Sequence, residues 1–85
     1  MPADNFNIDK TLLLRIAEGD EAAFTQVFNI FKNKIFTVAY KLTESQTLAE
    51  EIVQDVFLKI WLKRDKLAEV NDFSSYLFIK LHKKY

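Results

Sequence analysis

Residues 49–61 read AEEIVQDVFLKIW. Wound as an α-helix at 3.6 residues per turn, this stretch gathers Ala49, Ile52, Val53, Val56, Phe57, Ile60 and Trp61 on one broad side. The opposite arc carries Glu51, Gln54, Asp55 and Lys59, as a solvated face should. Leu58 nevertheless falls in the middle of that polar arc, and Leu62 follows it one turn on. A helix with a complete core face therefore also shows water a pair of leucines bordered by acids. Scattered surface leucines are ordinary in globular proteins. Two of them one turn apart, flanked by Glu51, Gln54 and Asp55, equally describe a docking strip in which apolar anchors supply affinity and carboxylates select a basic partner.

The rest of the chain supports an all-α reading. One Gly and one Pro in 85 residues leave little turn chemistry for a β-protein, and long runs of strong helix formers point the other way. A content of 49% hydrophobic and 28% charged residues is globular rather than disordered, and this length suits one small domain with a single core. A first helix is expected over roughly 10–18, capped by Asp9 and closed by Gly19, with Leu12, Leu13 and Ile16 inward. Asp20 can cap the next, over about 21–42, whose stripe is Phe24, Val27, Phe28, Phe31, Ile35, Val38, Ala39 and Leu42. Phe36 and Tyr40 form a second, smaller apolar strip on it, so this helix should pack on more than one neighbour.

Thr43, Ser45 and Thr47 all offer N-caps for the third helix, with Thr47 and Glu50 spaced as a capping box, and it should run to Arg64 or Asp65. A polar connector, KLAEVND, follows, which Leu67 and Val70 can pin to the body. Asp72 caps a last helix from Phe73 to about Lys83, with Phe73, Leu77 and Leu81 inward and Tyr76 alongside. The expected fold is a small four-helix domain, three main helices plus a short N-terminal one.

Catalysis has little to work with. The lone histidine, His82, lies in a Lys-rich terminus, there is no cysteine, and no nucleophile–base pair stands out. Glu50, Glu51 and Asp55 could be imagined around a metal, but carboxylates without His suit the positive end of a helix dipole better. No Gly-rich loop exists to cradle a phosphate. Neither an enzyme, a metal nor a cofactor is expected. Absence of an apolar run of about 18 residues argues against membrane insertion, and the missing cysteines agree with a cytoplasmic location.

The zero net charge hides an asymmetry. Residues 1–58 hold five basic and nine acidic side chains, net −4, whereas residues 59–85 hold seven basic and three acidic, net +4. A basic end beside an acidic body suits contact with an anionic polymer, although a solvated helix with ordinary lysines would read the same on charge alone. In this last third Trp61, Phe73 and Tyr76 could stack on unpaired bases while Lys63, Arg64, Lys80 and Lys83 neutralise phosphates and Asn71 and Ser74 bond base edges. Trp61 and Phe73 read in the first place as core residues.

The order of these features resembles the extracytoplasmic-function sigma factors of bacterial RNA polymerase. AFTQVFNIFKNKIFTVAYKLT is similar to that family's Ala-Phe, aromatic-rich helix and closing Leu-Thr. AEEIVQDVFLKIW resembles its acidic-Val-Gln-acidic-Val-Phe-Leu signature, and DFSSYLFIKL its Phe-x-x-aromatic-Leu-aromatic pattern. The resemblance covers about Leu12 to Leu81 and is to the helical domain called region two.

That resemblance implies two jobs and a non-enzymatic role in transcription initiation. Glu51, Gln54, Asp55 and Leu58, with Leu62 continuing the strip, would meet the coiled-coil clamp helices of the polymerase β′ subunit. Lys63, Arg64, Asn71, Phe73, Ser74, Tyr76, Lys80 and Lys83 would line a surface that captures the melted non-template strand of the promoter minus-ten element. Lys80 and Lys83 depart from the residues common at their positions, which bears on base preference. The resemblance further implies an anti-sigma factor as a partner and a second, helix-turn-helix domain, so that the chain is expected to be part of a longer protein. A helical protein-interaction module without nucleic-acid binding, or a small duplex-DNA binder, would share the same fold class.

Overall fold

The computed structural model describes residues 9–84, apart from the side chains of Lys83 and Lys84. Four α-helices and one short 3₁₀ segment account for nearly all of it: α1 Lys10–Ala17, α2 Glu21–Thr43, α3 Gln46–Leu62, a 3₁₀ turn Arg64–Glu69, and α4 Phe73–Lys84. No strand occurs among the described residues. The domain is all-α, as its composition and periodicity require.

Local chemistry sets most of the boundaries. Asp9 caps α1 by accepting from the Thr11 N–H. Gly19 takes φ +97°, the left-handed conformation that closes a helix at little cost only for glycine. Asp20 then caps α2 by accepting from the Ala23 N–H at 3.1 Å. The α2–α3 junction is tighter. Glu44 ends α2 at φ +56°, unusual for a residue with a Cβ, and Ser45 caps α3 by accepting from the Leu48 N–H at 3.2 Å. Of the three caps the sequence offers, Ser45 is used; Thr47 already lies inside α3. Asp72 starts α4 with both carboxylate oxygens on Ser75, one accepting from its N–H and one from its hydroxyl.

The core lies between α2 and α3, which share the largest interface, with α4 closing it against both and α1 packing on α2 and on the 3₁₀ turn. Val27, Phe31, Ile35 and Ala39 from α2 meet Ile52, Val53, Val56, Phe57 and Ile60 from α3, and Phe73, Leu77 and Leu81 complete the interior. Aromatic edges meet faces along the seam: Phe28 lies 5.0 Å from Phe57, and Phe31 5.3 Å from Phe73, both T-shaped. Among the described residues no polar or charged side chain is buried.

Two expectations need correction. Leu42 belongs to the inward stripe by periodicity but is 49% exposed, because the buried run of α2 ends at Ala39 and the last turn has no neighbour to cover it. The third helix stops at Leu62 rather than at Arg64 or Asp65. An unbroken α3 would carry Leu67 roughly 10 Å beyond Ile60, past the core. Breaking at Lys63 and tightening into the 3₁₀ turn instead brings Leu67 back over α1, where it is fully buried.

Candidate functional site

The polar arc of α3 emerges as the sequence requires. Leu58 is 54% and Leu62 66% exposed, with Glu51 and Gln54 exposed and Asp55 half-buried beside them. Asp55 pairs with Lys59 one turn on at 3.4 Å. Other apolar side chains also reach the surface, Leu14, Leu48 and Ile79 among them, so exposure alone does not single out Leu58. Its surroundings do. A shallow groove of about 350 Å³ opens between α2 and α3, lined by Phe24, Phe28, Gln54, Phe57, Leu58 and Trp61. Phe24 packs against both Trp61 at 5.0 Å and Phe57 at 6.2 Å, so the groove floor is a continuous aromatic surface. Leu58 stands at its rim, with Gln54 one turn before it.

The residues proposed for nucleic acid begin at the C-terminal end of α3, directly after Leu62, and continue through the connector and α4. Lys63 is exposed at the C-cap of α3, and Asn71 is exposed between the 3₁₀ turn and α4. Arg64 folds back over Trp61, its guanidinium 4.4 Å from the ring centroid, so its charge sits beside the aromatic groove. Phe73 is 3% exposed and packed on Phe31, which makes its ring part of the core rather than a free stacking face. Tyr76 and Lys80 share one flank of α4, with the Lys80 ammonium 5.4 Å from the Tyr76 ring centroid, while Ser74 falls on the other flank of the buried Phe73–Leu77–Leu81 strip. The Tyr76 hydroxyl oxygen is buried without a hydrogen-bond partner. Burial raises its ionisation above the ordinary 10.0, and the nearby Asp65 carboxylate adds to that. Lys83 lies in α4, but its side chain falls outside the described residues.

No group of three or more His, Cys, Asp or Glu side chains that could hold a metal ion occurs among the described residues, and no helix there is long and apolar enough to cross a membrane.

Residues 27–83 match the family described as Sigma-70 region 2. The chain belongs to that family. It is also 28% identical, over 69 residues, to the ECF RNA polymerase sigma factor SigW of Bacillus subtilis (strain 168), an alignment covering 81% of this chain and 37% of SigW. The chain thus spans well under half the length of this relative. No solved structure matches it. The sigma region 2 match embraces most of α2, all of α3 and nearly all of α4, so both surfaces described above lie within it except for Phe24 of the groove.

Two features of this sigma region 2 domain escape sequence reasoning. Phe24, Phe28 and Trp61 read as core by periodicity, yet each is only partly buried and lines the open groove. Their position at the edge of the apolar stripes is the one local signal that was available. Arg64 reads as a phosphate-facing cation, and its i,i+3 spacing from Trp61 is the one signal of the stack it makes.

Proposed function

We propose that this chain is the part of a sigma factor that docks on the β′ clamp helices of RNA polymerase and captures the melted non-template strand of the promoter minus-ten element. The supporting observation is Leu58: it is exposed on the polar side of α3 at the rim of an aromatic groove, flanked by Gln54 and Asp55. Apolar anchors in a groove with carboxylates at the edge suit a partner helix carrying apolar and basic residues. Glu51, Gln54, Asp55, Leu58 and Leu62 make up this docking face, with the groove beside it.

Lys63, Arg64, Asn71, Ser74, Tyr76, Lys80 and Lys83 form the nucleic-acid side, and Phe73 supports it from beneath by fixing the start of α4. Unstacking a duplex costs about 1–2 kcal/mol per base step. Stacking on an aromatic ring returns about 1–3 kcal/mol per captured base. With Phe73 in the core, few rings remain free to stack, so capture by the domain alone is weak and leans on charge. Strand opening therefore depends on the polymerase to hold the domain in place. An anti-sigma factor covering the same faces, a cytoplasmic location, a non-enzymatic role and a further promoter-binding domain in the parent protein belong to this proposal.

A pull-down with a β′ clamp-helix fragment tests the docking half. Asp55→Arg and Leu58→Asp should each abolish capture while the helical circular dichroism spectrum is unchanged; normal capture by both variants removes the assignment. Titration with a single-stranded minus-ten oligonucleotide tests the other half, with weak binding expected that falls steeply with salt. Preference for duplex over single strand would favour a duplex-binding domain instead.

A further inference from the structure

We propose that Lys10 is a positioning residue for strand capture, a trans cap that holds the connector in the shape its nucleic-acid contacts need; this rests on the function proposed above. Its Nζ donates to the carbonyl oxygens of Ala68 at 2.9 Å and Val70 at 2.5 Å, residues 58 and 60 positions away in the chain. These carbonyls sit at the end of the 3₁₀ turn and just past it, where a helix leaves acceptors without partners of its own. Leu67 O already accepts from the Val70 N–H. Lys10 takes those of Ala68 and Val70.

Lys10 is badly placed for its own helix. It is the first residue of α1, at the positive end of the helix dipole, where a cation is disfavoured. Reaching across to the carbonyl end of the 3₁₀ turn reverses that sign. Apart from Leu67 packed on α1 and Arg64 stacked on Trp61, the connector has few anchors: Val70 is half-buried, and Lys66, Ala68, Glu69, Asn71 and Asp72 are exposed. Asn71 directly follows the Val70 carbonyl that Lys10 binds, Lys63 directly precedes the turn, and Arg64 begins it. The ammonium therefore ties α1 to the segment that sets where these three residues point.

Lys10→Met, which keeps the aliphatic stem and removes the donor, separates positioning from direct contact. In the 85-residue chain, binding of a fluorescent single-stranded minus-ten oligonucleotide should weaken about three- to tenfold. The slope of log affinity against log salt should stay as in the wild type, because no phosphate contact is lost. A direct phosphate contact would instead flatten that slope by about 0.7, and this outcome overturns the proposal, as does unchanged affinity. Capture of the clamp-helix fragment should be unaffected, and Lys10→Arg, which retains donors, should restore oligonucleotide binding. Amide hydrogen exchange gives an independent readout: protection at Leu67 and Val70 should fall in Lys10→Met while that of α3 holds, and unchanged protection refutes the cap. If the wild type binds no oligonucleotide, the function proposed above fails, and exchange alone still decides whether Lys10 organises the connector.

Discussion

The guanidinium of Arg64 lies over the Trp61 ring, 4.4 Å from its centroid, and its Nη1 donates to the Trp61 carbonyl oxygen at 3.0 Å. This contact joins the last turn of α3 to the connector that follows it. The same ring also packs on Phe24, so one indole belongs at once to the groove and to the connector. Arginine suits the position because its plane can stack while its edge hydrogen-bonds; lysine can do only part of this. Arg64→Lys should cost about 0.5–1 kcal/mol in urea unfolding, the usual worth of such a stack near the surface. Trp61 is the sole tryptophan, so its emission reports the contact directly, and Arg64→Ala should shift it to longer wavelength. An unmoved spectrum would mean that the stack does not persist in solution.

The same fluorophore reads the groove. A clamp-helix peptide seated between α2 and α3 would cover the indole edge and shift its emission to shorter wavelength in the wild type. Leu58→Asp should abolish that shift, with the free protein's spectrum nearly unaltered, since Leu58 lies at the rim and not beneath the ring. A full shift in the variant would place the peptide elsewhere.

Core and surface should differ sharply in cost. Phe31 is fully buried and meets Phe73 edge to face, so Phe31→Ala should remove about 3–5 kcal/mol. A domain of this size holds in total only on the order of 5 kcal/mol, so the cooperative thermal transition should be largely lost. Leu62→Ala should stay within about 0.5 kcal/mol by the same measurement. A large loss there would mean that Leu62 is buried in solution.

Acid should act in part through Asp20. The Ala23 N–H, and next the Arg15 guanidinium, hold its carboxyl below the ordinary 3.8. A carboxyl depressed by folding contributes stability above the unfolded-state value and loses it as pH falls through the folded one. Asp20→Asn keeps a capping oxygen but cannot ionise. The stability gap between wild type and variant should therefore be constant near neutral pH and close as pH drops below 3.8. Parallel acid-unfolding curves would remove Asp20 from the pH dependence.

Glu44 holds a left-handed conformation at φ +56° without being glycine. Glu44→Gly relieves that strain, and unfolding should become harder by about 0.5–1 kcal/mol. A loss of stability would show that the Glu44 side chain makes a compensating contact.

What the sequence by itself determined is whatever depends on neighbours one or two turns away. Asp9, Asp20, Ser45 and Asp72 cap their helices through N–H groups two or three residues ahead, Gly19 supplies a backbone angle, and the stripes from Val27 to Ala39 and from Ala49 to Ile60 follow the helical repeat. The exposure of Leu58 and Leu62 was legible for the same reason: a helix that buries one side must show the other. Only the tertiary structure decided where α3 breaks, which aromatic residues at a stripe's edge stay open as a groove, and that Lys10 reaches the connector. These depend on how far one helix overlaps the next and on which distant backbone groups end without a partner, and hydrophobic periodicity carries neither quantity.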